Sequence, residues 1–332
     1  MAAGKTLTIT FWDVGQGDCS TIELPDGRLI IIDTGNRGSP LVDWLKDKPR
    51  GVHSIVITHN DADHVGALPS VLDTCKSINQ VFMLMDRPAA KDPFAKLFRR
   101  VVEGERMGLY GLTRLEVGAE IWADSALDAR LHVVYPSMSA NILASKPNAT
   151  SGIICLTIKG KTELIWPGDA TLDSVSTTCH GTKPYFLVGP HHGAPEGYKK
   201  RVTTSSHLHA VSPQRAFISV GTKNGYSHPR PKYIRLLEQA GAKVCCSQLT
   251  VASDRQHVLD VKRPVLATHG LLGLNPPRNG FSCRGPLQLQ LGPSGFVGDG
   301  WDDEHQKRIA LLRRPQCLRG RAVFDKYQAA NP

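Results

Sequence analysis

The segment Thr58–Leu68, with the sequence THNDADHVGAL, holds four potential metal ligands within six residues. They are His59, Asp61, Asp63 and His64. A β-branched run, residues 54–57, precedes the segment, and apolar residues at helical spacing follow it. Because a turn between a strand and a helix can direct several side chains into one cleft, this pattern predicts a metal site. A helix N-cap would account for one aspartate, but it would need neither histidine.

The pattern His-x-Asp-x-Asp-His of residues 59–64 resembles the HxHxDH motif of the metallo-β-lactamase superfamily, with Asp61 in place of the second histidine. It is similar to the variant found in ComEC-type competence proteins. Further segments resemble that family's opening hairpin (DVGQGD), its TGD segment (PGDA), its PHHGS segment (PHHGA) and its closing N-x-Y-x-HP turn. These segments lie, in the family's order, at residues 11–35, 163–170, 186–194 and 217–244.

The resemblance implies an α/β fold, the metallo-β-lactamase αββα sandwich, in which two mixed β-sheets are flanked by helices. It extends over about residues 7–250, so we assign residues 1–251 to a hydrolase domain. Residues 252–332 are rich in Gly and Pro and basic near their end, and we expect a partly ordered extension. Within it, residues 283–291 alternate between apolar and polar types, which favours a late strand.

The resemblance also implies a ligand set. It consists of His59, Asp61, Asp63, His64, a bridging Asp169 and one histidine of the pair His191–His192. Neighbours on an extended segment point to opposite sides, so one of the two is expected to reach the metal, and His191 is favoured. Asp33 would hold the metal-binding loop through hydrogen bonds. The third histidine of most superfamily members is replaced here by Asn148, Thr150 and Ser151, as in ComEC-type domains, which leaves one or two metal ions open.

Such a site suits hydrolysis of a phosphodiester. Its three carboxylates favour Mn²⁺, and Zn²⁺ also fits the ligands. Two divalent cations would lower the pKa of a bridging water and offset charge in the transition state. In this hypothesis Asp63 accepts a proton from the water, and His192 or His228 protonates the leaving oxygen. Asn224 and Ser151 are assigned to substrate binding.

The formal net charge of +10 favours a polyanionic partner. Together with the ComEC-type resemblance, which implies DNA as substrate, it makes a metal-dependent nuclease the leading hypothesis. A nuclease would need basic residues along its cleft, such as Lys199, Lys200 and Arg201. One alternative is a small-molecule hydrolase acting on a cyclic nucleotide, another phosphodiester or a lactone. Another is a non-catalytic subunit that binds metal or nucleic acid.

The cysteines indicate a reducing compartment. The chain has 8 of them without a C-x-x-C pair, and several lie in apolar runs. No signal peptide and no apolar run long enough to span a membrane is recognisable, so we expect a cytoplasmic protein. The extension at residues 252–332 is a candidate surface for a protein partner.

Overall fold

The computed structural model describes residues 6–85, 94–137, 150–194, 204–222, 224–226, 228–248, 250, 283 and 285–297. In these ranges eight strands form a first sheet, in the order β15-β14-β1-β2-β3-β4-β5-β6. They are β1 Leu7–Phe11, β2 Cys19–Glu23, β3 Leu29–Thr34, β4 Gly51–Val56, β5 Ser77–Met83, β6 Gly111–Arg114, β14 Leu287–Gly292 and β15 Gly295–Val297. β3 to β6 pair in parallel, and the remaining pairs are antiparallel.

Seven strands of the described chain form a second sheet, in the order β13-β12-β11-β10-β9-β8-β7. They are β7 Glu120–Asp124, β8 Ala129–Tyr135, β9 Ile153–Ile158, β10 Lys161–Trp166, β11 Phe186–Val188, β12 Arg215–Ile218 and β13 Lys243–Cys246. β10 to β13 pair in parallel, and β7 to β10 are antiparallel. Both sheets are therefore mixed, as predicted.

Helices cover the outer faces of the two sheets. They are α1 Pro40–Asp47, α2 Ala62–Val65, α3 Leu68–Thr74, α4 Ala95–Arg106, α5 Leu172–Thr178, α6 Thr204–Val211 and α7 Pro231–Gln239. Apolar side chains of α1, α3 and α4 pack with the outer face of the first sheet, and those of α5, α6 and α7 with that of the second. The predicted αββα sandwich is thus confirmed. Among the described residues, no helix is long and apolar enough to cross a membrane.

The central core lies between the two sheets. Phe11 of β1 stacks on Phe186 of β11, with ring centroids 4.8 Å apart, and also packs against Trp166 of β10. β3 is buried on both faces because the second sheet covers one side and helices cover the other. That double burial explains its continuous apolar run, which an alternating strand would lack.

β14 comes from the segment beyond residue 251. It pairs antiparallel with β1, where Leu7 lies opposite Leu291. Its alternating leucines, Leu287, Leu289 and Leu291, are fully buried in the core between the sheets. The late strand expected from the alternating pattern therefore forms, and the first sheet of the domain includes a hairpin from residues 252–332.

Ser39 is the N-cap residue of α1, and Pro40 opens the helix. The Ser39 hydroxyl forms no cap bond and instead contacts the Cys19 sulfur at 3.9 Å. The basic, Ser/Thr-rich composition of residues 199–216 is typical of a connector, yet residues 204–211 form α6, and His207 on it lies 3.5 Å from Asp173. Leu208 and Val211 of this helix pack against the second sheet, a contact that the polar composition does not reveal.

Candidate metal centre

The loop after β4 and the short helix α2, together residues 58–65, carry the four predicted ligands of the sequence motif. We call this segment the ligand loop. The imidazoles of His59 and His64 are fully buried, with ring centroids 4.0 Å apart. The carboxylates of Asp61 and Asp63 lie nearer solvent, with side-chain exposures of 48% and 30%. His59 lies in the loop that follows β4, Asp61 is the N-cap residue of α2, and Asp63 and His64 lie on α2 itself.

Asp33 holds the ligand loop from behind. It is the penultimate residue of β3, and its backbone is left-handed, at φ 53°. One carboxylate oxygen accepts from the Thr58 backbone N–H at 2.8 Å. The other accepts from the Thr58 hydroxyl at 2.7 Å and from His64 Nδ1 at 2.8 Å. Because His64 donates through Nδ1, its Nε2 is left to face the cluster.

Asp169, three residues after β10, lies at the centre of the cluster. Its Oδ2 lies 3.3 Å from His59 Nε2 and 3.4 Å from His191 Nε2. Its Oδ1 lies 3.2 Å from His64 Nε2 and 3.4 Å from His192 Nε2. The two oxygens of one buried carboxylate thus face two different pairs of imidazoles. The N-cap of α5 is Thr171, whose hydroxyl accepts from the Ser174 N–H, so Asp169 is not needed as a helix cap.

The pair His191–His192 does not lie on an extended segment, so that prediction was wrong. β11 ends at Val188, and residues Pro190–Gly193 form a 3₁₀ turn in which both histidines are left-handed, at φ 47° and 52°. Both imidazoles therefore turn towards Asp169, on different oxygens. His192 is buried, whereas the side chain of His191 is 38% exposed at the rim.

His192 is oriented in the same way as His64. Its Nδ1 donates to the Ser219 carbonyl at 2.9 Å, and its Nε2 lies 3.2 Å from His64 Nε2 and 3.4 Å from Asp63 Oδ2. When both rings donate through Nδ1, neither neutral ring has a proton on Nε2 to share with the other. A cation between the two facing nitrogens would satisfy both lone pairs.

Asp18 joins the cluster, although it was absent from the predicted ligand set. It is buried, and its Oδ1 lies 3.6 Å from His192 Nδ1. Gly17 explains the tight approach of this loop, because a Cβ there would lie 2.1 Å from the Asp63 carbonyl oxygen. The DVGQGD segment was read as a turn flanked by aspartates, and the sequence offered no sign that the turn docks on the ligand loop.

The residues fit a divalent metal ion. Two trios place one ligand atom each within 4.8 Å of the others, namely Asp18, His64 and His192, and His59, His64 and Asp169. His59 Nε2 and Asp18 Oδ1 are buried and form no hydrogen bond within the described part of the chain. Buried acceptors without a donor are costly unless a cation binds them. The cluster can therefore hold divalent cations.

Ionisation of the metal-free cluster follows from its charges. Burial would lower the pKa of His192, but the carboxylates of Asp169 and Asp18 raise it to about 9. Burial raises the pKa of Asp18 to about 6, against the opposing effect of His192 and His64. Burial would raise the pKa of Asp63 too, but the hydrogen bond from His192 and the charge of His64 lower it. A metal needs neutral imidazoles, so metal binding to this cluster must displace protons.

The three other predicted site residues lie around the cluster. Ser151 accepts the Asp169 N–H at 2.9 Å, and its hydroxyl lies 3.5 Å from His59 Nδ1. Asn224 uses its amide within its own turn, accepting from the His228 N–H at 2.8 Å and donating to the His228 carbonyl at 3.0 Å. Burial, with the charges of His191 and His192, lowers the pKa of His228 to about 4.

Comparison with known proteins identifies the domain. Residues 12–134 match the family model of the metallo-beta-lactamase superfamily. The chain is 25% identical over 255 residues to ComE operon protein 3 of Bacillus subtilis (strain 168). The aligned residues cover 70% of this chain and 30% of the length of that relative.

Two solved structures show a distant likeness. The first is Igni18, a metallo hydrolase from the hyperthermophilic archaeon Ignicoccus hospitalis KIN4/I, with a TM-score of 0.47 and 18% identity, covering 72% of this chain and 94% of that one. The second is a diphosphatase from the PhnP family, with a TM-score of 0.43 and 12% identity, covering 86% of this chain and 99% of that one. Because both scores are low, the assignment rests on the family model and on the two-sheet architecture. Residues 12–134 thus match a metallo-beta-lactamase superfamily domain, and the two mixed sheets agree with that fold.

Proposed function

We propose that this chain is a metal-dependent phosphodiesterase that cleaves DNA at a centre of two divalent cations. The observation that carries the proposal is the position of Asp169. Each of its two carboxylate oxygens faces a separate pair of imidazole Nε2 atoms, at distances between 3.2 and 3.4 Å. A carboxylate in this position can bridge two cations, and phosphoester hydrolysis commonly uses such a pair.

The first of the two positions would be held by His59, Asp61, His191 and Asp169 Oδ2. Asp61 supports this assignment because its carboxylate lies 3.6 Å from His59 Nε2. His191 supplies an imidazole 3.4 Å from Asp169 Oδ2, whereas Ser151, one of the residues that replace the third histidine in the sequence, binds the Asp169 backbone instead. This arrangement supports two cations despite the missing histidine.

The second position would be held by Asp63, His64, His192 and Asp169 Oδ1, with Asp18 beside them. His192 was predicted as an acid, but both of its nitrogens have partners, at Ser219 and in the cluster. We therefore assign it as a ligand in addition to His191. The carboxylate-rich set suits Mn²⁺ and also accepts Zn²⁺.

The bound metal ions would supply a water of lowered pKa and positive charge close to the scissile phosphate. Asp63 is the carboxylate suited to accept the proton of that water, because it is partly exposed and its lowered pKa keeps it ionised. His228 lies at the rim, where its ring is 5.7 Å from that of His191. Its lowered pKa makes it neutral at pH 7, which suits a hydrogen bond to substrate better than proton donation in the metal-free protein.

DNA is proposed as substrate on two grounds. The chain is 25% identical over 255 residues to ComE operon protein 3, in line with the ComEC-type resemblance that implies DNA, and the net charge of +10 favours a polyanion. The basic residues predicted to line a groove, Lys199, Lys200 and Arg201, lie outside the described residues. A protein partner bound through residues 252–332 and a cytoplasmic location also remain predictions.

The test uses metal-stripped protein supplied with Mn²⁺, Zn²⁺ or Mg²⁺ and labelled single- and double-stranded DNA. Asp169→Asn should reduce the cleavage rate by more than about 100-fold, because loss of a residue that only hydrogen-bonds a metal ligand typically reduces activity by up to that factor. Asp173→Asn is the matched control, because Asp173 is 75% exposed on α5, and it should cleave like the wild type.

Cleavage that survives in the Asp169→Asn protein would contradict the bridging role. A folded, metal-loaded wild type that leaves DNA intact but hydrolyses bis(4-nitrophenyl) phosphate would replace DNA by a small phosphodiester.

A further inference from the structure

An exposed aromatic ring stands at the rim of the candidate metal centre. Tyr226 is 66% exposed. Among the described residues, five large hydrophobic side chains are exposed, and Tyr226 is the aromatic one. Its ring lies over that of His228, with centroids 5.6 Å apart and an interplanar angle of 29°. The edge of His228 in turn meets the ring of His191, at 5.7 Å and 82°. Since His191 Nε2 lies 3.4 Å from Asp169, three rings connect solvent to the cluster.

The turn that presents Tyr226 is held in place from inside. Asn224 accepts from the His228 N–H at 2.8 Å, and its amide donates to the carbonyl oxygens of His228 and Gly221. These three bonds hold the backbone on either side of Tyr226, and the stacking on His228 orients its ring. A ring that is oriented before a ligand arrives loses less entropy on binding.

The same turn is packed directly against the histidine turn of the metal centre. Gly193 has φ 77°, and a Cβ added there would lie 2.5 Å from the Cβ of Pro229. The Arg230 N–H donates to the Gly193 carbonyl at 2.9 Å. The turn that carries Tyr226 is thereby packed against the turn that carries His191.

The ring of His228 contacts the rings of His191 and Tyr226, and His228 is 7% exposed. Its Nδ1 is buried without a hydrogen-bond partner among the described residues. A buried imidazole nitrogen that no neighbour satisfies is suited to a ligand group at this spot. A ligand that reaches His228 would also contact the ring of Tyr226.

We propose that Tyr226, backed by His228, is a stacking site for the nucleobase next to the phosphate bound at the metal centre. The proposal rests on the phosphodiesterase function proposed above and adds a substrate class. An aromatic ring can stack on any of the four bases, provided that one face of the base is not already stacked on another base. Bases inside a duplex are stacked on both faces, so the site selects single-stranded DNA or a strand end. The exposed Arg230, which follows the turn, supplies positive charge for the backbone.

The first measurement is equilibrium binding of two probes to the full chain with its metal bound. The probes are 2′-deoxyadenosine 5′-phosphate and 2-deoxyribose 5-phosphate, which differ by the base alone. The wild type should bind the nucleotide more tightly by about 5-fold or more, the range for one base stacked on an aromatic ring. Tyr226→Ala should remove this difference, and Tyr226→Phe should retain it because the ring remains.

Leu109→Ala is the control, because Leu109 is also apolar and is 60% exposed. Leu109 lies just before β6, whose first residue, Gly111, pairs with Gln80 of β5 away from the cluster. It should bind both probes like the wild type. Equal binding of the two probes by the wild type, no binding of the nucleotide, or an unchanged preference in Tyr226→Ala would each overturn the stacking site.

The second measurement separates this inference from the proposed function. Single-stranded oligonucleotides with and without an abasic residue beside the cleaved bond are compared. The wild type should cleave the abasic strand more slowly, and Tyr226→Ala should cleave both strands equally. Equal cleavage of both strands by the wild type overturns the stacking site and leaves the nuclease intact. If neither strand is cleaved, the proposed nuclease function is refuted, and the stacking site at Tyr226 is then tested only by the difference in binding between the two probes of the first measurement.

Discussion

Asp33→Asn tests whether the carboxylate behind the ligand loop orients His64. The substitution preserves shape, and asparagine tolerates the left-handed backbone at this position, where φ is 53°. The Asp33 carboxylate accepts hydrogen bonds from the Thr58 N–H, the Thr58 hydroxyl and His64 Nδ1, at 2.7–2.8 Å. Asparagine has one acceptor oxygen, and its amide nitrogen must replace the oxygen that faces His64.

The size of the effect follows from these contacts. The oxygen of asparagine can keep the bond to the Thr58 N–H, and the Thr58 hydroxyl can rotate to accept from the new amide. The charge-assisted bond from His64 is lost, which should lower the free energy of unfolding by about 2 kcal/mol. If His64 adapts by accepting through Nδ1, its proton moves to Nε2, the atom that must bind the metal. We therefore expect metal affinity to fall by about 10- to 100-fold.

Two assays measure the two effects. Competition with a chromophoric chelator gives the metal affinity, and chemical unfolding of the metal-free protein gives the stability. Asp43→Asn is the matched control, because the exposed Asp43 pairs with Lys46 on the surface of α1, where an ion pair contributes little. Wild-type metal affinity in the Asp33→Asn protein would refute the orienting role of Asp33. Lower affinity with wild-type stability would refute the strength assigned to the bond from His64.

Two further substitutions test the approach of Asp18 and the late strand. Gly17→Ala should displace the ligand loop and weaken metal binding by at least about 10-fold, because its Cβ would lie 2.1 Å from the Asp63 carbonyl oxygen. Gly27→Ala, with φ 81° and no atom within 4 Å of its Cβ, introduces backbone strain alone and should bind metal normally. Equal losses in both proteins would contradict the close approach. Leu289→Ala should destabilise the protein by about 2–5 kcal/mol in chemical unfolding, whereas the exposed Gln290→Ala should change stability little. Similar midpoints for the two proteins would show that β14 lies outside the core.

The local signals in the chain were sufficient for most of the fold. The β-branched run at residues 54–57 overlaps β4, the helical spacing after the ligand segment marks α3, and the alternation of residues 283–291 marks β14. These predictions rest on the repeat of 2 or about 3.6 residues that burial of one face imposes, and such a repeat is visible in any single segment.

The ligand loop was accessible to sequence reasoning for a similar reason. Ligand types at close spacing between a strand and a helix are a local property, and Asp33 lies at the end region of the apolar strand β3 while Asp169 follows the apolar strand β10. The ordered motifs then indicated the superfamily. What the motifs imply for each side chain remains a prediction. The structure places four histidines around the Asp169 carboxylate, with Asp61 and Asp63 each beside one of those histidines.

The orientation of the histidine pair could not be read from its sequence. PHHG follows a strand, so an extended backbone with alternating side chains was the natural expectation. The backbone instead bends into left-handed conformations at both histidines, because the turn is held between the Asp169 segment and Pro229. The His191 N–H donates to the Gly168 carbonyl, and Gly193 packs against Pro229. These partners come from other elements of the chain.

By itself, therefore, the sequence determined several of the elements, the ligand loop and the resemblance to the superfamily, because each is encoded in residues that are neighbours along the chain. Tertiary structure alone decided that Asp18 enters the cluster, that both His191 and His192 face Asp169, and that β14 pairs with β1. Each depends on a contact between distant segments, where shape and hydrogen-bond partners decide the geometry. No local repeat or spacing records which of those segments will meet.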